Sequence, residues 1–357
     1  MAHRATHNGV DARDKLILVE GLGHIVASTN SESSHLILDA GIAGQDQDWR
    51  FHLRRRALRG DCLTRLEGCG TALVTPFTEK EDLDLPALRS LVNWQISEGI
   101  DFLVACGSTG EAQTLDEEER QSAVAAVVEV AGGRIPVMAG ATSNDTTQAV
   151  NEAKRMCGVG VDYILSATPY YNRPTQEGLY RHFMAVAEAA PRPVCLYNMP
   201  GRTGVNLEPV TALRLSQHEN VMGIKEASGD MRQMMEILRN RPSHFSVLSG
   251  DDWLALPVIT AGADGLVSVV SNQVPAAMTA LVHLLLTGNL EKARSWHYRL
   301  LPLMDATFLE TNPTPVKAAL HLMGRIQNVL RLPLLPASDA TRSALQLALR
   351  DAGVANV

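Results

Sequence analysis

Lys225 closes the apolar run Val221-Met222-Gly223-Ile224 and opens Glu226-Ala227-Ser228-Gly229-Asp230, so an ammonium group falls where a buried strand would end. Apolar surroundings disfavour the charged form and leave a free amine, the nucleophile that forms an imine with a carbonyl substrate. The chain holds six lysines, and the other five (Lys15, Lys80, Lys154, Lys292, Lys317) lie in polar or helical contexts. Taken alone, a lysine at a strand end is more often a solvated cap. Its company separates the two readings.

Each of the other reactive clusters also follows an apolar run. Gly107-Ser108-Thr109-Gly110-Glu111 combines glycines that permit a tight turn with amides and two hydroxyls suited to a carboxylate. Its bland reading is an ordinary Gly-rich turn, and it lacks the Gly-Lys-Ser/Thr ending of a nucleotide-binding loop. Thr168-Pro169-Tyr170-Tyr171-Asn172 and Tyr197-Asn198-Met199-Pro200-Gly201-Arg202-Thr203-Gly204 gather three of the six tyrosines into two loops. Phenols can move protons beside a carbonyl, and the planar fork of Arg202 suits a substrate carboxylate. The structural alternatives are rim packing for the tyrosines, a loop-fixing ion pair for Arg202 and a plain turn at Asn198-Met199-Pro200. Gly250-Asp251-Asp252 precedes a helical pattern, where an Asp usually serves as N-cap.

These clusters are spaced by a repeating rhythm from about residue 70 onward: apolar run, polar or Gly-rich turn, amphipathic stretch. The runs are Gly70-Thr75, Phe102-Ala105, Pro136-Ala139, Tyr163-Ser166, Val194-Tyr197, Val221-Ile224, Ser246-Leu248 and Leu266-Val270. Helical patterns fall near 86–98, 117–131, 146–157, 177–189, 207–217, 231–240, 252–261 and 275–287, several opened by Asp, Ser, Thr or Pro. Eight βα units without a dinucleotide-binding glycine loop predict an α/β protein with a closed (β/α)8 barrel, and the alternative is an open doubly wound sheet. In a barrel, reactive groups collect at the carboxyl ends of the strands, where every cluster above falls. The expected organisation is an irregular N-terminal extension over 1–66, a barrel over 67–289 and a C-terminal helical region over 290–357, with helical patterns near 290–308, 314–324 and 339–352. Short strands at Leu16-Val19 and Leu36-Leu38 are possible in the extension, which otherwise reads as a flexible tail or as upstream sequence from a misplaced start.

A net charge of −7, with one short basic run at Arg54-Arg55-Arg56 and Arg59, argues against nucleic-acid binding. Five cysteines without a CxxC pair suit a reducing compartment rather than a disulfide framework. No membrane span or signal peptide is legible, and a cytoplasmic location is expected. The eleven histidines show no metal-ligand spacing, and no metal or cofactor is expected.

Together, Gly107–Glu111, Pro169–Asn172, Tyr197–Gly204, Gly223–Gly229 and Gly250–Asp252 resemble the dihydrodipicolinate synthase / N-acetylneuraminate lyase family over about residues 68–353. Five separated motifs in the right order make the resemblance specific, and Gly201-Arg202-Thr203-Gly204 looks like the synthase branch. The resemblance implies a Schiff-base lyase of lysine (diaminopimelate) biosynthesis in which Lys225 condenses with pyruvate and the enamine attacks L-aspartate 4-semialdehyde. It implies proton transfer by Tyr197, relayed through Thr109 to Tyr171 from across a dimer interface, within a homotetramer. It further implies that Ser108 and Thr109 hold the pyruvate carboxylate, that Arg202 holds the semialdehyde carboxylate, and that Val267 belongs to the substrate-binding set. The remaining alternatives are a related class I aldolase acting on a hydroxylated 2-oxo acid, which Arg202 disfavours, and a non-catalytic 2-oxo acid-binding barrel. Family members inhibited by lysine carry His and Glu where Glu117 and Gln148 stand here, and a Ser where Ala112 stands, although Asn144 and Tyr170 match. Weak feedback by lysine is therefore expected.

Overall fold

A computed structural model describes residues 65–355, preceded by the backbone of three short strands. The chain divides into two units, Met1–Thr64 and Arg65–Val357. In the first, β1 (Leu16–Leu18), β2 (His24–Ala27) and β3 (Leu36–Asp39) form an antiparallel sheet, Leu16 opposite Ala27 and His24 opposite Asp39. Strands β1 and β3 fall on the two apolar runs noted in the extension, whereas β2 was not anticipated. The expectation of a flexible or mistranslated tail concerns residues outside the described ones.

In the second unit, β4 (Gly68–Ala72), β5 (Phe102–Ala105), β6 (Val137–Gly140), β7 (Tyr163–Ala167), β8 (Val194–Asn198), β9 (Val221–Glu226), β10 (Ser246–Ser249) and β11 (Gly265–Ser268) are all parallel, and β11 returns to pair with β4. The sheet is a closed barrel, so the open-sheet alternative fails. Closure is tightest where Gly265 meets Gly68: a Cβ on Gly265 would lie 2.0 Å from the Gly68 carbonyl oxygen. That contact starts the β4 ladder at Gly68, two residues before the apolar run expected at Gly70, and the ladder ends at Ala72.

The strands read as unbroken apolar runs because both faces are covered. Their inward side chains fill the barrel and their outward ones pack against the helices, each buried Val, Leu, Ile or Phe contributing about 1.5–3 kcal/mol. The covering helices are α1 (Leu85–Ser97), α2 (Glu117–Ala131), α3 (Thr146–Val159), α4 (Gln176–Ala189), α5 (Pro200–Thr203), α6 (Pro209–Leu215), α7 (Met231–Asn240), α8 (Ala255–Thr260) and α9 (Pro275–Leu286). Their starts follow sequence signals: the side chains of Asp84, Asp116, Asp145, Thr175 and Asp230 each accept a first-turn amide, and Asp116 with Glu119 completes a reciprocal capping box. The helix expected at 207–217 is α6, and the short α5 before it, within the Tyr197–Gly204 loop, was not anticipated; each is opened by a proline. Beyond the barrel, α10 (Leu290–Thr307), α11 (Thr314–Leu322) and α12 (Asp339–Asp351) form the C-terminal helical region. Among the described residues no helix is long and apolar enough to cross a membrane.

Candidate active site

Lys225 is the fifth residue of β9, inside the strand rather than just beyond it. Which way its side chain points depends on one irregularity. Val194 of β8 pairs with Val221, but the next residue, Cys195, pairs with Gly223, leaving Met222 as an extra residue in β9. A one-residue shift of register exchanges the two faces of a strand. Were Met222 paired with Cys195 in an unbroken ladder, Tyr197 would lie beside Ile224; with Met222 left out of the pairing, Tyr197 lies beside Lys225, and the two side chains share one face. The Lys225 Nζ stands 4.2 Å from the centre of the Tyr197 ring.

Both residues are buried, Lys225 at 6% and Tyr197 at 7% exposure. Room for the lysine chain comes from Gly250, beyond the end of β10, where a Cβ would lie 2.9 Å from the Lys225 Cε. Among the described residues no carboxylate forms an ion pair with Lys225. Instead the residue borders a cavity whose wall includes Ser108, Thr109, Tyr197, Arg202, Val269 and Asn312. A buried amine beside a phenol, opening onto hydroxyls and a guanidinium, suits imine formation with an anionic carbonyl compound.

The Gly107–Glu111 loop follows β5 and is held under strain. Cys106 and Glu111, at its two ends, both have φ of 51°, in the left-handed region that non-glycine residues avoid. Four contacts fix it. The Thr75 hydroxyl donates to the Gly110 carbonyl (2.7 Å), Asn312 Nδ2 donates to Thr109 Oγ1 (2.9 Å), Lys317 Nζ meets Glu111 Oε1 (2.6 Å), and the Arg331 amide donates to Glu111 Oε2 (3.2 Å). Ser108 is exposed and Thr109 buried, so the loop offers one hydroxyl to entering solute and keeps the other inside.

Thiols near the site are poor competitors for a carbonyl. Burial pushes Cys106, at the entry to this loop, and Cys195, two residues before Tyr197, each up to about 12. At neutral pH both stay protonated and weakly nucleophilic.

The remaining sequence candidates are placed as follows. Arg202, exposed on α5, donates from Nη2 to the Asn312 carbonyl (3.0 Å) and reaches the cavity wall. Tyr171 is 88% exposed with φ of 72°, its amide donating to the Thr203 carbonyl (3.4 Å), and is not brought to the cavity. Val267 is buried in β11 two residues before Val269, and it is Val269 that reaches the wall. Asp252 is no N-cap of α8: its carboxylate accepts from the Ser268 hydroxyl and from the Val269 and Val270 amides, tying the loop after β10 to the end of β11. Burial raises it to about 6 against those hydrogen bonds. Sequence reasoning missed Asn312 and Phe308 in the cavity wall, both contributed by the connection between α10 and α11. No local pattern marks them; the contact between Asn312 and Thr109 spans 203 residues.

A second, larger cavity lies beside the first and shares Gly107, Ser108, Leu165 and Tyr197 with it. It carries a charge network in which Arg155 meets Glu117 and Glu152 (both 2.6 Å) and Arg120 meets Glu152 (2.9 Å).

The model of the dihydrodipicolinate synthetase family matches residues 65–352. The 4-hydroxy-tetrahydrodipicolinate synthase of Koribacter versatilis is 51% identical over 81% of this chain and 97% of its own length. Among solved structures, the dihydrodipicolinate synthase of Thermotoga maritima is 44% identical with a TM-score of 0.80, covering 82% of this chain and 100% of that one. The Acinetobacter baumannii synthase in complex with pyruvate is 41% identical with a TM-score of 0.79, covering 81% of this chain and 99% of that one. The chain is an enzyme that belongs to the dihydrodipicolinate synthetase family.

Proposed function

We propose that this enzyme catalyses the 4-hydroxy-tetrahydrodipicolinate synthase reaction through an imine on Lys225, with pyruvate and L-aspartate 4-semialdehyde as substrates. The observation that carries this reading is the buried Lys225, without a carboxylate partner among the described residues, 4.2 Å from the Tyr197 ring on the wall of a cavity that also holds Ser108, Thr109 and Arg202. In the proposed sequence the Lys225 amine attacks C2 of pyruvate and water leaves, giving the imine. A methyl proton is removed to form the enamine, whose C3 attacks the aldehyde carbon, and the new alkoxide takes up a proton. The amino group of the bound semialdehyde then attacks C2, closing the ring and releasing Lys225 as a free amine. Tyr197 is the proton donor and acceptor beside the lysine, with Thr109 next in the relay. Ser108 and Thr109 hold the pyruvate carboxylate and Arg202 that of the semialdehyde, since anion clamps and a fixed relay are what the protein must add to the chemistry of the imine.

The exposure of Tyr171 supports its placement in a neighbouring subunit's relay, within a homotetramer built as a dimer of dimers. We further propose that lysine inhibits weakly. Glu117, in the second cavity, is already engaged by Arg155, and Ala112 and Gln148 supply no charge there. The test is condensation of the two substrates by the purified enzyme, coupled to a reductase that consumes the product, with and without lysine. Turnover with the semialdehyde, lost in Lys225→Ala, is expected. Turnover retained in that variant contradicts the covalent route, and strong inhibition at low lysine concentration contradicts weak feedback.

A further inference from the structure

Side chains alternate between the faces of a strand, so the neighbours of Tyr197 and Lys225 in the chain, Asn198 and Glu226, pair with each other on the face away from the cavity. Both are fully buried. Asn198 Nδ2 donates to Glu226 Oε2 (3.0 Å), Gln233 Nε2 of α7 donates to the same oxygen (3.1 Å), and the Ser228 amide donates to Glu226 Oε1 (2.7 Å). Among the described residues no cation forms an ion pair with this carboxylate. Building on the Schiff-base reading above, we infer that Glu226 is a positioning residue for this reaction: through Asn198 it holds Tyr197 against Lys225 and roots the loop that carries Arg202.

The orientation of each amide in this group is set by partners that have only one role. A backbone N–H only donates, and an ionised carboxylate only accepts. Every group that meets Glu226 is an N–H donor, which suits the ionised form. The Leu207 amide donates to Asn198 Oδ1 (2.9 Å), so Asn198 turns its NH2 to Glu226 and to Asn206 Oδ1 (2.8 Å). Asn206 Nδ2 donates in turn to Gln233 Oε1 (2.8 Å), and Gln233 gives its own NH2 to Glu226. Turning any one amide over would set donor against donor and acceptor against acceptor. The effect reaches the site along the backbone. Asn198 begins the loop that bears Arg202 on α5, and Asn206 and Leu207 end it, so one carboxylate fastens both ends. The Glu226 carbonyl also accepts from the Gly250 amide (2.8 Å), and Gly250 leaves room for the Lys225 chain. A buried charge without a cation costs stability that an apolar pair would not. Here it gives a single arrangement to the groups that flank the reacting amine.

Glu226→Gln keeps the shape and removes the charge. Whichever way the new amide lies, its NH2 faces a donor: Ser228 on one side, or Asn198 and Gln233 on the other. Exchange of pyruvate methyl protons for deuterium, at saturating pyruvate without semialdehyde, reads the placement of Tyr197, and the KM for semialdehyde reads that of Arg202. Per folded enzyme, exchange should slow about tenfold or more and this KM should rise, as expected when reacting groups are misplaced. Adding Asn198→Asp moves the carboxylate across the ladder, where the Leu207 amide still donates to it. With the amides of Asn206 and Gln233 both turned over, each donor again meets an acceptor, so the double variant should recover at least about threefold of the lost exchange. A purely structural role predicts a lowered melting temperature with parent exchange and KM per folded enzyme, and a double variant no faster than the single one. Either result would overturn the inference. Should Glu226→Gln fail to fold, Gln233→Ala, on α7 and away from the cavity, removes one donor from the carboxylate. It should move both readouts in the same direction by about threefold, as for loss of a buried hydrogen bond, and parent values there would overturn the inference. Failure of borohydride to trap pyruvate on the parent enzyme would instead overturn the Schiff-base reading.

Discussion

Lys225 and Lys317 are both buried, at 6% and 0% exposure, and each ammonium lies 4.2 Å from an aromatic ring centre, Tyr197 for the first and Phe77 for the second. They differ in what else they meet. Lys317 is in contact with Glu111 at 2.6 Å, inside a wall made with Arg331, whose guanidinium is taken up by Glu119. Burial lowers Lys317 to about 8, while Glu111 pulls the other way. Lys225 has no carboxylate partner among the described residues and borders open space. Burial alone therefore does not make a lysine reactive. A carboxylate turns it into a brace, and the absence of one beside a cavity leaves the side chain open to a solute. The brace also serves the chemistry, since Glu111 ends the loop that presents Ser108 and Thr109.

The contrast breaks most sharply at the amine itself. Lys225→Ala should lower turnover at least about a thousandfold, measured in the coupled assay. The strand irregularity supplies a control of the opposite sign. Deleting Met222 removes the unpaired residue and leaves Tyr197 opposite Lys225 in an unbroken ladder, so pyruvate trapping should persist. A deletion variant that folds but no longer traps pyruvate would show that the bulge itself, and not the pairing beyond it, orients the lysine.

The brace is tested by stability. Lys317→Met leaves the Glu111 carboxylate buried without its cation and should cost about 3–5 kcal/mol in urea unfolding, with part recovered in the Lys317→Met, Glu111→Gln pair. Lys225→Met orphans no carboxylate and should change stability by less than about 1 kcal/mol. Equal losses in the two methionine variants would erase the distinction. The smallest effect concerns a buried base away from the cavity. Desolvation lowers His182 to about 4 from an ordinary value of 6.5. Between those values the unfolded chain binds a proton that the folded one does not, so stability falls as pH drops from 6.5 toward 4, by about 3 kcal/mol at most. His182→Gln should flatten that part of the pH profile of unfolding.

Much of this was legible in the sequence, and what was not has a common cause. The eight strands followed from short apolar runs bounded by turn residues, and most helix starts from Asp and Thr caps, because those signals are local. The reactive residues were legible because a barrel gathers strand ends, so Lys225, Tyr197, Thr109 and Arg202 needed no contact information to be grouped. The partner that separates Lys317 from Lys225 was not legible, since Glu111 lies 206 residues away. Asn312 was missed for the same reason. The Met222 bulge left no trace, because a parallel pairing register depends on two strands at once. Asp252 was misread as a cap because the amides that donate to it belong to another strand end, 17 and 18 residues on.

The most direct measurement is to trap pyruvate on the enzyme with borohydride, digest the product and find the modified lysine by mass spectrometry. A single adduct on the peptide containing Lys225 is the result this account predicts. An adduct on Lys317 or another lysine, or none at all, would contradict it.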